Sequence, residues 1–140
     1  MNNLKLIHRD LHPSRIQCFQ GDVIKFNPIG LPYNFKKLLK RENFSGHVNY
    51  SAPELILESP YFNSKVDVWS LGCCLYFLIA KKDPFDGKFP NLIKQNILNL
   101  TIEKIYNEKI PFAFKPLFEK TLVSNEVQRY NMSQVILLLD

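Results

Sequence analysis

The chain has too few cysteines for a disulfide framework. There are three in 140 residues, Cys18, Cys73 and Cys74, at spacings that suit neither paired bridges nor a zinc site. Cys73 and Cys74 lie in an apolar run, where a thiol packs as a small hydrophobe. The expected setting is therefore reducing and cytoplasmic. No apolar leader opens the sequence, since Met1 to Asp10 carries Lys5, Arg9 and Asp10, and no signal peptide is expected. The Asn-X-Ser/Thr matches at Asn43, Asn99 and Asn131 then read as chance occurrences in an Asn-rich chain. Internal repeats and low-complexity tracts are absent too. Charge is only modestly unbalanced, at +5, and some of the Lys and Arg fall in the pairs Lys36-Lys37, Lys40-Arg41 and Lys81-Lys82. That favours acidic partners in general and is too little to argue nucleic acid. It reads as a solvated face with cations at helix ends.

What is present is the material of one packed domain. Hydrophobic residues make up 46% and aromatic residues 13% of a length that suits a single core. The first 50 residues are turn-rich. Ile16 to Phe19 and Val23 to Phe26 flank Gln20-Gly21-Asp22 and predict a small β-hairpin. From about residue 51 the pattern turns helical. Ser51-Ala52-Pro53-Glu54 has the form of a helix start, with a capping Ser, Pro in the first turn and Glu at the third position. Ser64 to Ala80 predicts the central helix, with Ser64 as cap and Lys81-Lys82 beyond its end. It is apolar on every side and, with Asp67 and Ser70 inside it, too short and too polar to span a membrane. It is expected to be a core helix, with Trp69 and Tyr76 in the core. Three amphipathic helices follow. They carry Phe89, Leu92, Ile93, Ile97 and Leu100, then Phe114, Leu117, Phe118 and Leu122, then Met132, Val135, Ile136 and Leu139.

Four short signatures occur in order: His8-Arg9-Asp10-Leu11, Ile29-Gly30, Ala52-Pro53-Glu54 and Asp67-Val68-Trp69-Ser70-Leu71-Gly72. Each is weak alone. Their order and spacing together resemble the catalytic loop, metal-binding turn, activation-segment end and central helix of eukaryotic protein kinases. The Leu11-His12-Pro13 pattern resembles the serine/threonine type. The resemblance covers essentially the whole chain. It implies a mainly α fold, a kinase-like C-terminal lobe with a small β-hairpin at the catalytic loop and with the N-terminal lobe absent. Residues 1–140 then form a partial kinase domain. Its parts are a catalytic loop at 8–15, an activation segment at about 28–54, a central helix at about 64–80 and late helices at about 89–140.

By family position Asp10 is the carboxylate that accepts the substrate hydroxyl's proton, although an Asp on a tight loop also serves as a turn former. His12 stands where serine/threonine kinases carry a phosphate-contacting Lys, and a neutral imidazole supplies less charge. Both metal-ligand positions are altered. Arg15 replaces the Asn, and it has hydrogen-bond donors only and a permanent positive charge. Pro28 replaces the Asp of the turn, and a hard magnesium ion needs oxygen ligands. Asn27, one residue earlier, could offer an amide oxygen only if the turn were re-registered. Arg9 matches the residue that pairs with an activation-segment phosphate in many relatives, and Ser45 is the nearest hydroxyl.

Glu54 and Arg129 match a buried ion pair that ties the activation segment to the late helices. Glu54 can alternatively complete a capping box with Ser51. Asp67 matches the residue that hydrogen-bonds the catalytic-loop backbone, with helix capping as its other reading. Upstream of His8 there is no Gly-rich loop, no ATP-contacting Lys and no partnering Glu. The resemblance thus implies a protein Ser/Thr kinase fold whose usual cofactors are ATP and magnesium, with none expected to bind here. The expected role is that of an inactive pseudokinase acting through a protein partner or a missing N-lobe, with no nucleic-acid or membrane partner. The alternatives are an active kinase fragment of a longer chain and a truncated product without function.

Overall fold

The computed structural model describes residues 7–26, 48–106 and 110–139. Pro28, Ile29, Gly30, Asn27, Ser45 and most of the 28–54 segment lie outside the described residues. The described chain is mainly helical with one two-stranded antiparallel sheet. Strands β1 (Ile16–Phe19) and β2 (Val23–Phe26) pair Ile16 with Phe26 and Phe19 with Val23. Gly21 and Asp22 turn the chain at φ 78° and 58°, a left-handed region that Gly enters freely and Asp tolerates.

The helices are α1 (Pro53–Ile56), α2 (Lys65–Ala80), α3 (Pro90–Leu98), α4 (Ile102–Ile105), α5 (Lys115–Thr121) and α6 (Met132–Leu139). Short 3-10 turns occur at Pro13–Arg15, Val48–Tyr50 and Phe112–Phe114. Two expected caps differ from what is found. Helix α1 starts from Ala52, which has no side-chain acceptor to cap it, and the Glu54 carboxylate is committed to Arg129. At α2, Ser64 is already helical and makes no cap bond, while Asn63 Oδ1 accepts from the Lys65 amide at 2.8 Å. The far end of α2 closes on Lys81, left-handed at φ 57°, whose N–H reaches Phe77 O at 2.8 Å. Helix α6 opens on a reciprocal capping box. Asn131 and Gln134 exchange backbone-to-side-chain bonds of 2.9 Å each.

The core is built around α2. Val66, Trp69, Cys73, Cys74, Tyr76 and Ala80 are buried against Val48, Ala52, Leu55, Phe85, Ile97, Phe118 and Leu122. The Trp69 ring stacks on Phe85 at 5.8 Å between centroids, and Tyr76 meets Phe118 edge-on at 5.8 Å. Gly72 lets α5 approach. A Cβ there would stand 2.6 Å from Thr121 Oγ1. A smaller cluster joins Val68, Leu117 and Val135, with Leu75 and Tyr130 packed on it.

Burial of α2 on every face is not what the described residues show. Leu71, Leu75 and Leu78, spaced for one face, are half-buried or exposed. The amphipathic pattern of the later helices is only partly used. Ile93 and Ile97 are buried while Phe89 and Leu92 are exposed, and Leu117 and Phe118 are buried while Phe114 is not. On α6 only Val135 is buried. No helix among the described residues is long and apolar enough to cross a membrane.

Candidate functional site

The loop before β1 is fixed from below by α2. Asp67 lies in the first turn of that helix, and its two carboxylate oxygens accept the amides of His8 and Arg9, each at 2.7 Å. Burial pushes the Asp67 carboxyl above its ordinary range, and the two amide bonds work in the opposite direction. Arg9 sits in the left-handed region at φ 64°, a conformation that costs a non-glycine residue about 1–3 kcal/mol and needs such anchoring. Asp10 follows, with its amide on His8 Nδ1 at 3.3 Å, and Leu11 is buried in the core. The loop is thus held at both ends of the Asp10 side chain's reach.

The 3-10 turn Pro13–Arg15 then folds the chain back over Asp10. Pro13 occupies the first position of the turn, and the Arg15 amide donates to His12 O at 2.9 Å. This places the Arg15 guanidinium on the carboxylate, Nη2 to Asp10 Oδ2 at 2.8 Å. Arg15 Nε also points to His12 Nε2 at 3.3 Å, and that nitrogen lies 3.9 Å from Asp10 Oδ1. Asp10 and His12 are both buried. The structure therefore brings Asp10, His12 and Arg15 into one three-member cluster. Pro28 lies outside the described residues. Among those described, no group of three His, Cys, Asp or Glu side chains is placed to hold a metal ion.

A second carboxylate centre joins the turn Val48–Tyr50 to the loop after α2. Asn49 Nδ2 donates to Asp83 Oδ2 at 2.8 Å, and the Tyr50 hydroxyl donates to Asp83 Oδ1. The Ser70 hydroxyl in turn donates to Tyr50 O at 2.7 Å. Burial, together with the bond to Asp83, raises the Tyr50 phenol well above its usual range. The Tyr50 ring stands 6.3 Å from the His12 ring, which connects this latch to the first cluster. Sequence reasoning missed Asp83. Its sole mark is a place before Pro84 in a turn, which many solvent-facing Asp residues share.

The third centre is the pair of Glu54 on α1 and Arg129 before α6. Arg129 is 1% exposed and Glu54 8%. The guanidinium also donates through Nε to Val123 O at 2.9 Å and through Nη1 to Lys65 O at 3.0 Å. Its plane centre lies 5.1 Å from the Trp69 ring centroid. Among the other ionisable groups, Cys73 and Cys74 are buried and Cys18 is exposed.

A profile described as the protein kinase domain matches residues 1–137. The chain belongs to the protein kinase family. Protein kinase kin1 of Schizosaccharomyces pombe is 30% identical over 131 residues, which cover 94% of this chain and 14% of that protein. Serine/threonine-protein kinase PKH1 of Saccharomyces cerevisiae is 28% identical over 96% of this chain and 19% of its own length. Sperm motility kinase 3A of Mus musculus is 40% identical over 86 residues, 61% of this chain and 17% of that protein. The kinase-family chain described here therefore spans less than a fifth of the length of these three relatives.

Proposed function

We propose that this chain is the C-terminal lobe of a serine/threonine-type protein kinase fold that has lost metal-assisted phosphoryl transfer and works by binding protein. The observation that carries the reading is the 2.8 Å contact of Arg15 Nη2 with Asp10 Oδ2. A guanidinium has donors only, so Arg15 cannot ligate a cation and repels one where it sits. It also fills one lone-pair direction of the carboxylate that would take the substrate hydroxyl's proton. The residue types present do not fit magnesium: by family position Arg15 offers donors only at one expected ligand position, and Pro28 has no carboxylate for the other.

The loop frame is nevertheless retained, with Asp67 on the backbone of His8 and Arg9 and Glu54 on Arg129. A frame kept without its metal chemistry suits a scaffold. The test is phosphate transfer from labelled Mg-ATP or Mn-ATP to a generic protein substrate, using this chain and any longer parent. No transfer above an Asp10→Asn control is the expected result. Transfer that disappears in that control would overturn the proposal.

A further inference from the structure

The His12 imidazole stands between the two members of the ion pair. Its Nε2 is 3.3 Å from Arg15 Nε, an atom that can only donate. A ring nitrogen that accepts a hydrogen bond carries no proton. The geometry of this contact fits the neutral imidazole with its proton on Nδ1. Adding a proton at Nε2 would turn the acceptor into a donor facing a donor, with two cations in contact. The same proton would place a positive charge 3.9 Å from Asp10 Oδ1, as a rival partner for the carboxylate.

We infer that His12 is a proton-operated release for the Arg15 guanidinium, which holds Asp10 covered when His12 is neutral and loosens when His12 is charged. The inference deepens the reading of Asp10, His12 and Arg15 as one site, but its chemistry does not depend on whether phosphate is transferred. Imidazole is the side chain whose unperturbed form changes charge near neutral pH. Among the described residues, groups from three places face it. Asp10 and Arg15 belong to its own loop, with His8 Nδ1 engaged by the Asp10 amide. Tyr50 faces it from the Val48–Tyr50 turn and carries Asp83 behind its hydroxyl. Asp67 of α2 holds the amides of His8 and Arg9 beneath the loop. With neutral His12 Arg15 has two anchors, and with charged His12 it has one.

Carboxyl footprinting reads the release directly. The chain is treated with a carbodiimide and glycine ethyl ester, and modification of Asp10 is measured by mass spectrometry against Asp22, which is exposed in the hairpin turn. Between about pH 7.5 and about pH 5.5 the Asp10 to Asp22 ratio should rise about tenfold, the scale of losing one charge-assisted hydrogen bond. His12→Gln offers Arg15 an uncharged acceptor at either pH, so its ratio should stay flat. A flat ratio in the unaltered chain, or an equal rise in His12→Gln, overturns the inference. If that variant does not fold, nitrogen-15 spectra of histidine-labelled unaltered chain decide. An unprotonated Nε2 at about pH 7.5 supports the release, and a protonated Nε2 there overturns it.

Discussion

Arg129 grips Glu54 with both ends of its guanidinium, Nη1 to Oε1 at 2.7 Å and Nη2 to Oε2 at 2.9 Å, across 75 residues of chain. The pair is buried and its remaining donors reach backbone carbonyls, so neither charge can turn to water if the other is lost. Removing one partner strands a buried charge, which costs about 3–5 kcal/mol. Glu54→Ala and Arg129→Ala are each expected to lose that much in urea melts. The double variant should cost scarcely more than either single one, because the coupling dominates. Small additive losses would mean that the pair is energetically idle.

Nucleotide gives the second expectation. A ligand at about 100 times its Kd raises stability by roughly 2.7 kcal/mol. With Arg15 on Asp10 and a residue without a carboxylate, Pro28, at the other ligand position proposed from the sequence, millimolar Mg-ATP should leave the melting temperature where ATP with chelator leaves it. Arg15→Asn alone should not restore a metal-dependent shift, since Pro28 still supplies no carboxylate. A shift of several degrees that needs magnesium in the unaltered chain would sink the loss-of-metal reading.

Gly72 tests how tightly α2 and α5 pack. Alanine in a helix interior is favoured over glycine by about 1 kcal/mol. Against that, its Cβ would meet Thr121 Oγ1 at 2.6 Å and Leu122 Cδ2 at 3.0 Å. Thr121 is fully buried and its hydroxyl is bonded to Leu117 O, so it has nowhere to swing. Overpacking of this kind costs about 1–3 kcal/mol, and Gly72→Ala should come out destabilising. Adding Thr121→Ala should recover part of the loss, and a Gly72→Ala variant more stable than the parent would refute the packing.

The thiols supply a prediction with a definite sign in pH. Burial pushes Cys74 up to about 12 and Cys73 well above its ordinary value. A thiol raised in the folded state keeps its proton while the unfolded chain loses one. Its contribution is therefore fully present below the ordinary thiol range and is lost as pH rises above about 8.5. Cys18 should react with a maleimide at once, and Cys73 and Cys74 only when denaturant opens the core. Rapid labelling of three thiols in the native chain at about pH 7 would contradict the buried placement.

The elements that were legible in the sequence carry a strong local pattern. Short apolar runs on either side of Gln20-Gly21-Asp22 gave the hairpin, and the apolar run after Asn63 gave α2 within a residue at its start. Caps were less legible. Ser51 and Ser64 have the right residue type, yet Glu54 is drawn to Arg129 and Asn63 takes the cap at α2. Both outcomes are decided by partners remote in sequence or by one residue of offset. The Asn131-Met132-Ser133-Gln134 capping box was readable and went unread. Arg15 was legible as a non-ligand, but its contact with Asp10 depends on the turn at Pro13 folding it back. Asp83 was not legible, because its partners Asn49 and Tyr50 lie more than thirty residues away.

The last expectation concerns apolar surface. On α6, Ile136 and Leu137 are 54% and 75% exposed, and only Val135 of that helix is buried. Leu78 of α2 is 48% exposed, in line with Leu71 and Leu75 on one face. A large aliphatic side chain left in water forgoes about 1.5–3 kcal/mol. Two or three such losses are serious against net stabilities of about 5–15 kcal/mol. The 140-residue chain on its own is therefore expected to bind a hydrophobic dye and to elute as oligomers or a broad peak in size-exclusion chromatography. Ile136→Gln with Leu137→Gln should weaken dye binding at little cost in stability, because those side chains are already in water. Val135→Ala should do the reverse, lowering stability by about 1–3 kcal/mol while leaving the exposed surface in place. A sharp monomer peak, no dye binding and a cooperative melt for the unaltered chain would show that its apolar faces are covered in solution.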